Sequence, residues 1–96
     1  MLSSRQRARL RALASTMEPV VHVGKDGLAS GVVRQTDEAL TARQLIKGTV
    51  QQNADMDARE ACRTLAEETG AEPVAAIGRK FVLYRRNGNL PAIDID

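Results

Sequence analysis

Tryptophan is absent from this chain of 96 residues, and tyrosine, phenylalanine, histidine and cysteine occur once each. A single cysteine excludes an internal disulfide. The single histidine falls within an apolar run and reads as structural, and with no second histidine in the chain Cys62 is left without an imidazole to activate it. Two aromatic side chains cannot build the stacking platform on which some RNA-binding sheets read unpaired bases. Apolar runs extend only a few residues, against roughly 20 for a membrane-spanning helix. The arginine-rich start is followed by no apolar stretch of the kind a secretory signal needs, so a cytoplasmic location is expected.

What is present describes one ordered domain. The chain is 43% hydrophobic and 27% charged with three prolines, a balance that supports a packed core of modest stability. Net charge is only +2, but it is unevenly spread. Residues 1–27 carry +3, residues 28–70 carry −2 and residues 71–96 carry +1. A fold that brings the two ends together would form one basic patch suited to phosphates.

Periodicity predicts the order α-β-α-β-α-β-β, without repeats or low-complexity tracts. Ser3 and Gln6 fit a capping box for a helix reaching about Ser15, with Leu10, Leu13, Ala14 and Met17 on its apolar side. Pro19 to Val23 reads as a short buried strand, and Leu28 to about Leu40 as a second helix. Gln44 to Val50 reads as a strand in which Gly48 marks a bulge or the close approach of another group. Asp57 and Glu60 fit a second capping box, Ala58, Ala61, Cys62, Leu65 and Ala66 give the third helix a narrow face, and Gly70 ends it. Pro73 to Ile77 and Phe81 to Arg86 form a hairpin around a basic turn. The fold class expected is α/β, a mixed four-stranded sheet packed by helices, with the strand order left open. One domain covers 1–86, and 87–96 is expected to be a flexible tail.

Three groups could carry function. Gly24-Lys25-Asp26-Gly27 lies where the first strand is expected to turn directly into the second helix. Glycines allow close backbone approach, and a helix start offers free N–H groups to an anion, although an ordinary turn explains the same tetrapeptide. The spacing lacks the features of a Walker loop or a dinucleotide fingerprint, so no nucleotide cofactor is implied. Arg5, Arg7, Arg9 and Arg11 divide by angle into Arg5 with Arg9 and Arg7 with Arg11, readable as a solvated face or as forks for phosphate. Arg79, Lys80, Arg85 and Arg86 have the same ambiguity, since edge strands also use basic residues against aggregation. Phe81 and Tyr84 should face opposite sides of their strand, one in the core and the other free to stack on a base. His22 reads as a structural histidine within an apolar strand. Asp55, Asp57 and Glu60 could suggest a metal, but helix capping explains two of them and the Ca²⁺ loop pattern is missing; neither an enzyme nor a small-molecule substrate is expected.

In this order and spacing the residues resemble those of the single-domain bacterial CRM, or YhbY-like, RNA-binding proteins. The resemblance spans about Leu2 to Arg86. It rests on Leu10-Arg11-Ala12-Leu13-Ala14, on Pro19 to Leu28, on Glu38-Ala39-Leu40 and Leu45-Ile46-Lys47, on Glu68-Thr69-Gly70-Ala71, and on Ile77-Gly78-Arg79 with Val82-Leu83-Tyr84-Arg85. It implies a fold similar to the C-terminal domain of translation initiation factor three and association with ribosomal RNA in precursors of the large ribosomal subunit, with a role in their assembly. Carried onto this chain, it implies an RNA-contacting loop of Gly24, Lys25, Asp26 and Gly27, and a basic surface drawn from Arg5, Arg7, Arg9 and Arg11 with Lys47, Arg79 and Lys80. Asp26 is compatible with a phosphate there if its carboxylate turns away to cap the second helix. A monomer without cofactor or metal is expected. The alternative reading is an interaction module that docks on a ribosomal or translation protein through an exposed sheet.

Overall fold

The computed structural model describes residues 1–95, apart from the side chain of Ser30. The elements follow the expected order: α1 (Ser4–Ala14), β1 (Val21–Val23), α2 (Ser30–Arg43), β2 (Leu45–Val50), α3 (Ala58–Thr69), β3 (Glu72–Ile77) and β4 (Lys80–Tyr84). Helix starts are set by local chemistry. The Ser3 hydroxyl accepts from the Gln6 N–H at 3.1 Å while the Gln6 side chain accepts from the Ser3 N–H at 3.0 Å, which is the reciprocal capping box. The Asp57 carboxylate accepts from the Glu60 N–H at 2.8 Å, and Gly70 closes α3 at φ +71°.

The sheet runs in the order β1-β2-β4-β3. β1 pairs parallel with β2, and β4 lies antiparallel to both β2 and β3. The second strand of the hairpin is therefore central, and its first strand forms an edge. The hairpin loop is the pair Gly78-Arg79, because Ile77 pairs with Lys80, and Gly78 takes the positive φ of +60° that such short turns require.

Alternation along the strands builds two cores. Val21, Val23, Ile46, Val50, Phe81 and Leu83 point to one face, where α2 and α3 close over them with Leu40, Ala61 and Leu65. Leu45, Val82 and Tyr84 point to the other, under Leu10 and Ala14 of α1. Both aromatics are buried on opposite faces, so the expected division holds but neither ring is free to stack on a base.

Gly48 is explained by close approach. A Cβ there would lie 2.2 Å from the Phe81 ring, its cross-strand partner, so the ring takes the space of the missing side chain. Arg85 joins three elements: its guanidinium donates to the Asp37 carboxylate at 2.7 Å, the Thr69 carbonyl at 2.7 Å and the Thr41 hydroxyl at 2.9 Å. Its charge is used inside the fold, and so is that of Arg86, which donates to Gln44 Oε1 at 2.8 Å and to the Leu90 carbonyl at 2.9 Å.

The segment from Asn87, expected to fray, makes specific contacts. Buried Gln44, at φ +66°, accepts from the Asn87 N–H at 3.0 Å and donates to the Pro91 carbonyl at 2.9 Å. Ile93 and Ile95 pack against the core under α1, and Asp96 lies outside the described residues.

Replacing Gly48 by valine is expected to lower unfolding free energy by roughly 1–3 kcal/mol or more, because an added side chain must displace a fully buried ring. Urea denaturation followed by circular dichroism measures it, and an unchanged midpoint would show that the ring has other room.

Candidate nucleic-acid interface

α2 starts at Ser30 rather than Leu28, so the strand does not pass directly into the helix. Gly24 to Gly27 instead closes its own turn, the Gly27 N–H donating to the Gly24 carbonyl at 2.9 Å. Gly27 leaves that turn at φ +66°, a conformation that favours glycine. A Cβ on Gly24 would come within 2.8 Å of Gln51 Oε1. Gly27 thus has a backbone reason to be there, whereas the exposed Gln51 side chain could swing away from a Cβ on Gly24, and Lys25 and Asp26 stand exposed at the apex. The α2 start is capped by Ala29, which offers no side-chain acceptor, so Asp26 does not cap it. Its carboxylate makes no hydrogen bond among the described residues and offsets the Lys25 charge beside it.

The turn belongs to one end of the sheet. It follows β1, the loop after β2 lies beside it through the Gln51 N–H bond to the Val23 carbonyl at 2.7 Å, and the Gly78-Arg79 turn is joined to that loop by the Val50 N–H bond to the Arg79 carbonyl at 2.8 Å. Lys25 and Arg79 are therefore brought to the same end by backbone pairing.

The face below that end is open. α1 stops at Ala14 and covers Leu45, Val82 and Tyr84 but not the last row of the sheet. That row runs across all four strands as His22, Thr49, Lys80 and Ile77, each the register partner of the next. His22 is exposed between two buried valines, which corrects its reading as a structural core residue. Lys80 emerges from a central strand, so edge protection does not account for it. Lys47, one step back on β2, donates to the Ser15 carbonyl at 3.4 Å and shares a hollow with Arg11 and Lys80.

The arginines of α1 separate. Arg7 and Arg11 lie on the β3 side, as their angle predicts, but the Arg7 Nε donates to the Pro73 carbonyl at 3.3 Å. The Arg9 Nε donates to the Asp94 carbonyl at 3.3 Å, toward the C-terminal segment. Arg5 is exposed near the start of the helix. Of the four, Arg11 is the one that joins Lys47 and Lys80. His22, Thr49 and Ile77 were not singled out from the sequence as a surface. Their signal was the alternation Val-His-Val, but only the register aligns it with Thr49 and Lys80.

Cys62 lies on the opposite side of the sheet from His22, under α3, where its thiol donates to the Val82 carbonyl at 3.6 Å. Burial pushes the thiol up from 9.0 to about 11, only partly offset by hydrogen bonds from the backbone. The two groups face opposite layers and cannot act together.

A domain model described as CRS1 / YhbY (CRM) matches residues 2–85. The chain is 34% identical over 95 residues to the "Probable RNA-binding protein YqeI" of Bacillus subtilis, covering 99% of each. It is 38% identical over 85 residues to an "RNA-binding protein" of Haemophilus influenzae, covering 88% of this chain and 85% of that one. The solution structure of the Staphylococcus aureus protein SAV1595 superposes with a TM-score of 0.81 at 36% identity, over 100% of this chain and 98% of the other.

Cys62 in the folded protein is expected to resist iodoacetamide at pH 8 and to react once unfolded, because the thiolate is the nucleophile. A folded pKa above the unfolded one means the folded state holds the proton more tightly, so this stabilising contribution is present below pH 9 and is lost as pH rises toward 11. Comparison with Cys62→Ala in alkaline melts measures it; parallel curves for the two proteins would remove the effect.

Proposed function

The chain belongs to the CRS1 / YhbY (CRM) domain family, and from that membership together with its cationic face we propose that it binds structured ribosomal RNA in large-subunit precursors and assists their assembly without catalysing a reaction. The observation that carries this reading is the gathering of Lys25, Arg79, Lys80, Lys47 and Arg11 around one end and one open face of the sheet. The side chains of Lys25, Arg79, Lys80 and Arg11 have no hydrogen-bond or ion-pair partner among the described residues. They are available to phosphates, whereas Arg85 and Arg86 are occupied.

The mechanism is physical. The exposed turn brings backbone and Lys25 to an RNA strand, and the remaining cations release counterions from it. Such contacts fix position without reading bases, so selectivity falls to RNA shape. Asp26 tempers the grip, being unpaired and adjacent to Lys25. Arg5, Arg7 and Arg9 extend the basic surface around α1, in a secondary role because two of them already bond to carbonyls.

Lys25→Ala and Lys80→Ala are each expected to weaken binding to a ribosomal RNA fragment several-fold and to reduce the salt slope by about one. Asp26→Asn is expected to strengthen binding. Full affinity in both lysine variants would remove this face from the mechanism. In sucrose gradients, the tagged protein is expected to travel with precursor ribosomal RNA at low salt and to leave it at high salt. Salt-insensitive migration with a protein complex free of RNA would favour the docking-module reading instead.

A further inference from the structure

The hollow between the end of α1 and strands β3 and β4 has a character that phosphate binding does not require. Its volume is about 210 Å³, and its floor is apolar, formed by Ala75, Ile77 and Val82. Its rim is cationic, formed by Arg11, Lys47 and Lys80, and no carboxylate lines it. Ile77 is 63% exposed, the one large apolar side chain besides Met1 so exposed among the described residues. Nothing in the two cores requires an isoleucine there, since it lies beyond both.

We propose that this hollow receives one unpaired nucleobase of the bound RNA, with the phosphates on either side of that nucleotide held by Arg11, Lys47 and Lys80. The inference rests on the RNA-binding reading and adds a subsite to it. A nucleotide matches the hollow in kind: a flat ring with apolar faces, attached to a backbone that carries a negative charge on each side. Size agrees, because the volume falls below the roughly 300–1,000 Å³ of pockets that enclose drug-sized molecules and suits a single ring. The charges are free to act. Arg11 and Lys80 bond to nothing among the described residues, and Lys47 spends one donor on the Ser15 carbonyl.

The floor offers no side-chain hydrogen-bonding group, and the Ser15 hydroxyl that also lines the hollow already donates to the Ala12 carbonyl at 2.7 Å, so the base is accepted by shape more than by its identity. A base stacked in a duplex is unavailable without the cost of extruding it, and that cost is least for an unpaired one. The hollow therefore turns a sequence-independent grip into a preference for bulges and junctions.

The test compares an RNA hairpin with a fully paired stem, its loop replaced by a non-nucleotide linker, with the same hairpin carrying one unpaired nucleotide in the stem, by fluorescence anisotropy at fixed salt. Wild-type protein is expected to bind the bulged hairpin about tenfold more tightly, the effect of burying one base face on apolar surface. Ile77→Ser, at an exposed position and checked by its melting temperature, is expected to bring that ratio close to one. Lys25→Ala is expected to weaken both hairpins while keeping the ratio. Equal wild-type binding to both hairpins would overturn the subsite and leave RNA binding standing, as would a ratio unchanged in folded Ile77→Ser. Binding to neither hairpin would overturn the RNA-binding reading and the subsite with it.

Discussion

The Phe81 ring fills the space where Gly48 has no side chain, and this contact fixes how the sheet is assembled. Phe81 is fully buried, and any Cβ on Gly48 would fall inside its van der Waals envelope. Pairing Gly48 with Phe81 sets the register of the two central strands. Because successive side chains alternate across a sheet, that one pairing sends Lys47, Thr49, Lys80 and Val82 to the opposite face. The placement of Lys47 and Lys80 on the open face is thus a consequence of a core contact on the far side, and a register slip of one residue would turn them toward the core.

The two faces of the sheet are covered very differently. α2 and α3 cover the core side of one layer, and Arg85 fastens that layer to the end of β4 through charge-assisted hydrogen bonds, which are stronger than neutral ones. On the other layer α1 is too short to cover the sheet. The row it leaves open contains the residues with the least structural employment, His22, Thr49, Lys80 and Ile77. The same division explains why arginines close in sequence differ in role. Arg79 sits in a two-residue turn and is free, while Arg85 and Arg86 follow the end of β4 and are tied down by Asp37 and Gln44.

The order of elements was legible because each signal was local. The Ser3 box, the Asp57 cap, Gly70 and the β-branched run before Gly24 act within a few residues of themselves. The family was legible from the order and spacing of its motifs. Strand order was not, because β4 inserts between β2 and β3 through contacts distant in sequence. The start of α2 was misplaced by two residues, since Leu28 joins the apolar stripe of the helix from the loop before it. The exposure of His22 was missed because a three-residue strand of Val-His-Val shows alternation too briefly to be distinguished from a buried run. The contacts of 87–95 depend on Gln44, a residue whose positive φ and buried amide have no local signature.

The proposed RNA interface is the end of the sheet that carries the Gly24 turn and the open row, not the surface formed by α2 and α3. The most direct test is amide chemical-shift mapping by NMR during titration with a structured ribosomal RNA fragment. The account predicts the largest shifts at Gly24 to Gly27, Lys47 to Thr49 and Ile77 to Lys80, with the outer faces of α2 and α3 unmoved. Shifts concentrated on α2 and α3, with the turn and the open row silent, would contradict it.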